Sequence, residues 1–239
     1  MKGIVFTGKR KIELRDFPDP TPEPGEVILE VKASGMCGSD LHYYRSEKGA
    51  AAMAVALGIA GAGDDVIAGH EPCGVVVARG ADVQERFAPI GARVMVHHYG
   101  GCGICPSCRQ GWGQMCEEGF INYGITANGG HAPYLKVPAN TLVALPDGLS
   151  FAEGAAISCG TGTAFSAIKR MDVAAGSTMA VFGQGPVGLS LTLLGAAMGV
   201  RVIAVDISSE RLKLAKSYGA DVPYHPAAIK YYKEVGLLK

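Results

Sequence analysis

MAVFGQGPVGLSLTLLGAAMGVRVIAVD, residues 179–206, decides how the chain is read. It opens on a short apolar run, Met179-Ala180-Val181-Phe182, that reads as a buried strand. The turn Gly183-Gln184-Gly185-Pro186-Val187-Gly188 follows at once, then a helix-like run from Leu189 to Met198 and a second apolar run ending on Asp206. Gly183 suits a tight turn, Gly185 lets a pyrophosphate approach the backbone, and Gly188 lets helix pack on strand. Pro186 and Val187, between the last two glycines, belong to the same candidate cofactor site. The helix N-terminus offers free N–H groups and a positive dipole end to phosphates. Asp206 is placed to hold a ribose 2′-OH, which favours NAD and disfavours NADP, whose 2′-phosphate it would repel. Arg211 is counted with this site. A Gly-rich turn without a ligand is the bland alternative, and a bare G-x-G-x-x-G is weak evidence. The strand, the helix and the acid around this one are what favour a dinucleotide.

Outward from that stretch, 239 residues allow one or two domains. A hydrophobic fraction of 48% is enough for a sizeable core, and a net charge of zero gives no sign of nucleic acid as a partner. The opening segment, MKGIVFTGKRKIEL, has no long apolar core and does not read as a signal peptide. Gly49–Gly63 is apolar, but 15 Gly/Ala-rich residues are too few to span a bilayer. The expectation is a soluble cytoplasmic protein with no membrane partner. Seven cysteines in such a chain point to metal more than to disulfides.

Residues 1–150 are rich in short β-like runs: Glu26–Ala33, Gly74–Ala78, Arg93–His97, Ala132–Val137 and Leu142–Leu145. Pro18, Pro20, Pro22 and Pro24 form an extended connector before the first of them. From Phe151 the texture turns helical, with Glu153–Ala156 and Thr163–Arg170. Leu212–Tyr218 is a later helix with Gly219 as its C-cap.

Four clusters carry chemistry. Cys37-Gly-Ser39-Asp40-Leu-His42, Gly69-His70-Glu71 and Ser158-Cys159-Gly160 together offer two Cys and one His, a recognised catalytic zinc set that leaves a fourth position open. Taken singly, each has a bland reading as a buried thiol or a hydrogen-bonded core His. Cys73, among small apolar residues, takes that bland reading. The fourth cluster is stronger: Cys102-x₂-Cys105-x₂-Cys108-x₇-Cys116 places four thiolates in one loop, enough to close a structural zinc shell. An iron–sulfur cluster is the rival, but the ferredoxin run spaces its last Cys by three and follows it with Pro. Here the spacing is seven and Glu117 follows. Disulfides are the remaining alternative.

Together these residues resemble the zinc-containing medium-chain dehydrogenase/reductase family, the alcohol and polyol dehydrogenases. The family's Cys-Gly-x-Asp-x-His and Gly-His-Glu-x-x-Gly patterns stand at Cys37–His42 and Gly69–Gly74, its zinc lobe at Cys102–Cys116 and its Rossmann turn at Gly183–Gly188. The resemblance implies an α/β plus β architecture. A GroES-like catalytic domain would span residues 1–150, with the zinc lobe at 97–120. A partial Rossmann NAD-binding domain would span 151–221, and 222–239 would be an atypical tail. It implies two Zn²⁺ per chain, NAD as cofactor, a small alcohol or polyol as substrate, and room for a homo-oligomer. Catalytic-zinc ligands would be Cys37, His70 and Cys159, with Glu71 an inner-shell or alternate ligand and Asp40 orienting His70. Polyol dehydrogenases of the sorbitol type often carry Glu near the Cys159 position instead. Ser39 and His42 would carry the released proton.

Two stretches depart from the family. Gly49–Gly63 reads as a loop or short helix near the substrate entrance, or as a plain surface insertion. From Gly176 only 64 residues follow, little more than the first half of a doubly wound domain at about 30 residues per βαβ unit. The expected function is hydride transfer between a CH–OH group and NAD. The alternative is a catalytically incompetent zinc-binding fragment of such an enzyme. A zinc- or redox-sensing module built on Cys102–Cys116 would explain neither Asp206 nor the Cys37/His70 pair.

Overall fold

Short runs of apolar residues broken by Gly and Pro become short strands here. The computed structural model describes residues 1–47 and 66–221, with Lys233, Glu234 and Gly236. The loop expected at Gly49–Gly63 and nearly all of the tail 222–239 lie outside the described residues. The chain divides into two compact units, Met1–Cys159 and Gly160–Lys239.

In the first unit β1 (Lys2–Gly8) and β2 (Lys11–Asp16) form an antiparallel hairpin. β3 (Glu26–Gly35) leads into α1 (Gly38–Arg45), and β4 (Glu71–Arg79) returns beside β3. Then come β5 (Arg93–Val96), β6 (Tyr99–Gly100), α2 (Pro106–Arg109), β7 (Ile121–Asn122), β8 (Tyr134–Pro138), β9 (Leu142–Ala144) and α3 (Phe151–Ala156). Five of these strands make one antiparallel sheet in the order β8-β3-β4-β5-β9. Val27, Leu29, Val76, Val94, Val96, Leu135 and Val137 point into its core. The alternation of Glu26–Ala33 predicts one buried face, yet Val27, Ile28 and Leu29 are all buried. β3 keeps its alternation, pairing with β8 without a shift from Glu26 to Glu30, so Ile28 faces away from Val27 and Leu29, and both faces of this inner strand are covered here.

The helical texture begins at Phe151, but its first helix belongs with the sheet. Ser150 caps α3: its Oγ accepts the Glu153 N–H at 3.2 Å, and Glu153 Oε2 accepts the Ser150 N–H at 2.7 Å. α3 packs on β3 and β4, and a Cβ at Gly154 would come within 2.6 Å of Cys73 Sγ. Only a residue without a side chain lets helix and sheet come this near. The compact unit therefore runs to Cys159, past the change of texture at 150. Cys73 lies under α3 with Met95, Leu145 and Ala155, and burial pushes its thiol up to about 11.

The second unit holds α4 (Gly162–Met171), β10 (Thr178–Phe182), α5 (Pro186–Ala197), β11 (Arg201–Val205) and α6 (Ser209–Ser217). β10 and β11 pair in parallel, from Thr178 opposite Arg201 to Phe182 opposite Val205, with α5 as the crossover. Met179, Val181, Val200, Val202, Ala204, Ala215 and Ala220 form its core. Gly219, at φ +93°, ends α6 in the left-handed region that favours glycine.

Leu29 is fully buried in the five-stranded sheet. Leu29→Ala is expected to lower stability by about 2–5 kcal/mol, read from urea unfolding of the zinc-loaded chain. A midpoint and slope equal to the parent's would contradict this placement of the core.

Candidate functional site

The four-cysteine loop gathers its sulfurs through local backbone. Cys105 caps α2, and Pro106 takes the first helical position, where no N–H is needed. The Cys105 N–H points at Cys102 Sγ (3.3 Å), the Cys108 N–H at Cys105 Sγ (3.5 Å) and the Cys102 N–H at Cys116 Sγ (3.3 Å). Gly101 leaves room for this packing, since a Cβ there would meet Cys108 Sγ at 2.6 Å. The four Sγ atoms lie within 4.8 Å of one another. The Cys102–Cys108 and Cys105–Cys116 separations are both 4.0 Å. A disulfide needs about 2.05 Å, whereas a tetrahedron with Zn–S bonds of about 2.3 Å has edges of about 3.8 Å. Backbone N–H groups of Glu117, then Cys108, hold the Cys105 thiol down to about 7, toward the thiolate that binds metal. The donor set fits zinc.

A second cluster forms where β3 ends and β4 begins. Cys37 precedes α1, and its N–H donates to Asp40 Oδ2 at 2.8 Å. Gly69, at φ +94°, turns the chain into His70 and Glu71, because a Cβ at this position would run into the His131 ring. Cys159 sits on a single π-helical turn, Ile157–Thr161, a local insertion often found at functional sites. The Cys37 and Cys159 sulfurs, a His70 nitrogen and a Glu71 oxygen lie within 4.8 Å of one another. Cys37 Sγ is 3.0 Å from His70 Nε2 and 2.8 Å from Ser39 Oγ, and Ser39 Oγ is 3.4 Å from His70 Nε2. On the other side of the ring His70 Nδ1 stands 3.3 Å from Asp40 Oδ1, both side chains being fully buried. His42 lies farther along α1 on its exposed side.

Charge explains what this cluster can hold. Hydrogen bonding from Cys159, then from His70 and Ser39, takes Cys37 down to about 3, and Cys159 is correspondingly held up. Burial, then the Cys37 thiolate, pushes Glu71 up to about 7. Burial lowers His70, but Asp40 and Cys37 overcome it and raise the ring to about 10. Two thiols and two carboxyls thus converge on one imidazole, and a divalent cation among soft S and N donors would relieve their repulsion. This donor set also fits zinc.

His98 is a neighbour that sequence reasoning missed. It is buried, edge-on to His70 at 5.2 Å between ring centroids, and burial, then His70, holds it down to about 3. Its only signal was the run His97-His98-Tyr99 between β5 and the four-cysteine loop.

In the second unit the glycine turn has the conformation its sequence demands. Gly183 takes φ +84°, and a Cβ on Gly188 would collide with the Gly183 carbonyl. Gly185 precedes α5, Pro186 and Val187 open the helix, and a Cβ at Gly185 would meet nothing within 4 Å among the described residues. Asp206 Oδ1 accepts the Ser208 N–H at 2.8 Å, and Oδ2 accepts the Gln184 N–H. Burial raises this carboxyl, but those two N–H groups and the Arg211 guanidinium, 3.8 Å away, hold it below the usual range.

The family described as the alcohol dehydrogenase GroES-like domain matches residues 23–147. The uncharacterized zinc-type alcohol dehydrogenase-like protein YphC of Escherichia coli is 42% identical over 221 residues, 92% of this chain and 61% of that protein. An alcohol dehydrogenase of Geobacillus stearothermophilus is 34% identical over 97% of this chain and 66% of its own length. The acetophenone reductase of Geotrichum candidum, solved in complex with NAD, superposes with a TM-score of 0.78 at 34% identity, over 92% of this chain and 62% of that one. The chain thus spans less than two thirds of the length of each of these three relatives. No helix among the described residues is long and apolar enough to cross a membrane.

The two donor sets predict two zinc ions per chain by elemental analysis. Cys105→Ser is expected to remove one and to lower the thermal midpoint. Cys37→Ala is expected to remove the other and leave the four-cysteine loop loaded. A parent chain that takes up no zinc on refolding with the metal would contradict both assignments.

Proposed function

The chain belongs to the alcohol dehydrogenase family with a GroES-like domain, and from that premise we propose that it is a zinc- and NAD-dependent oxidoreductase acting on the CH–OH group of an alcohol or polyol. The observation that carries this reading is the buried convergence of Cys37, His70, Glu71 and Cys159. In this reading Cys37, His70 and Cys159 hold one zinc, Glu71 is an inner-shell or alternate ligand, and Cys102, Cys105, Cys108 and Cys116 hold a structural one. Zinc supplies Lewis acidity toward a hydroxyl, and NAD supplies the hydride acceptor.

The chain's own residues do the rest. Asp40 fixes the orientation of the His70 ring through Nδ1, leaving Nε2 for the metal. Ser39 Oγ, beside both Cys37 and His70, takes the proton released by the alcohol as it gives up its own. His42, on the exposed side of α1, releases a proton to solvent. The Gly183–Gly188 turn, with Pro186 and Val187, cradles the pyrophosphate, while Asp206 and Arg211 hold the adenosine ribose. Seven cysteines with no disulfide among them suit a reducing compartment, so a cytoplasmic setting goes with this reading.

The test is NADH formation by the zinc-loaded 239-residue chain against primary, secondary and polyhydric alcohols. The expected result is a rate that vanishes in Cys37→Ala. Ser39→Ala should lower kcat about 10²-fold with zinc content unchanged. Asp206→Ala should weaken NAD and narrow its advantage over NADP. A zinc-loaded parent that binds NAD yet oxidises nothing on the panel would reduce the role to binding without turnover.

A further inference from the structure

Gln184 stands between two glycines at the most permissive point of the second unit, yet it is fully buried. Its side chain makes two hydrogen bonds in opposite directions. Nε2 donates to the Val181 carbonyl on β10 at 3.0 Å, and Oε1 accepts the Thr192 hydroxyl, in the second turn of α5, at 2.9 Å. Thr192 is fully buried as well. Its hydroxyl is spent on Gln184 instead of bonding back along its own helix, the usual local alternative for a mid-helix Thr. The main-chain N–H of Gln184 adds a third link, to the carboxylate of Asp206 at the end of β11. One residue therefore ties strand, helix and acid together across the glycine turn.

A turn with glycines on either side has many conformations to lose. Without a tether, a ligand would have to order it on binding, and that ordering subtracts from affinity. We infer that Gln184, braced by Thr192, is a positioning residue that presets the turn and Asp206 as one rigid unit for the ADP portion of a dinucleotide. The inference rests on the nucleotide reading above. It assigns roles to two residues that contact no ligand: Gln184 through its backbone neighbours, and Thr192 through Gln184.

Calorimetric titration of the full 239-residue chain with ADP-ribose tests it, with the thermal midpoint measured alongside. Gln184→Met keeps the volume but removes both side-chain bonds, and is expected to weaken ADP-ribose about tenfold while lowering the midpoint. Thr192→Val leaves the bond to Val181 in place and should weaken binding about two- to threefold. The double variant Q184M/T192V pairs two apolar side chains, so the midpoint should recover toward the parent while the affinity stays about tenfold down. Affinity that recovers together with the midpoint would overturn the inference, because Gln184 would then be a packing residue only. A parent chain that binds neither ADP-ribose nor NAD would overturn the nucleotide reading and this inference with it.

Discussion

The antiparallel register between β3 and β4 is the constraint on which the first unit depends. It sets Gly35 opposite Glu71 and Ala33 opposite Cys73. The end of one strand thus lies beside the start of the other, and the residues just outside the paired segment, Cys37 and His70, are brought together. A slip of one residue would turn every side chain of β4 to the opposite face. Glu71 would leave the cluster, and Cys73 would leave its apolar pocket under α3. Two opposite register shifts, one with the extra residue Val77 on β4 and one with Lys32 on β3, keep the pairing in phase over its whole length. Gly35 and Gly74 let the strands close, since a Cβ on Gly35 would strike Glu71 and one on Gly74 would strike the Glu30 carbonyl.

That pairing concentrates charge in a buried place. Asp40, His70 and Glu71 are all buried, with Cys37 and Cys159 beside them. Burying one unpaired carboxylate is expensive, and the ordinary relief is to take up a proton. Glu71 and Cys159 tend that way, and His70 is driven toward its charged form. Such a site favours a cation over any single arrangement of protons, which is a physical reason for metal chemistry independent of any motif. Asp40 works on both sides, since it accepts the Cys37 N–H with one oxygen and faces His70 with the other.

What was legible in the sequence was local. The strand–turn–helix–strand over 179–206 announces itself through Gly183, Gly185 and Gly188, whose conformations follow from having no Cβ. The four cysteines of 102–116 are close in sequence and close in space. The set of Cys37, His70 and Cys159 is only a weak signal until the resemblance is added, because nothing local in three distant segments says that they converge. His98 and the Gln184–Thr192 brace were not legible. A polar residue in an apolar run gives no sign of which carbonyl or hydroxyl it will reach, and tertiary packing decides it. The two consecutive buried residues after Val27 escaped for a related reason, since what covers the second face of a strand comes from distant segments and not from the strand's own residues.

The two donor sets also differ in the length of chain that must be folded back to assemble them. Cys102 to Cys116 spans fifteen residues, and Cys37 to Cys159 more than a hundred. Loop-closure entropy grows with the logarithm of that length, so gathering the distant set costs about 2 kcal/mol more on chain entropy alone. The distant set exists only once the five-stranded sheet has closed. Chain entropy alone thus makes the donors of the lobe cheaper to gather than those of the buried cluster.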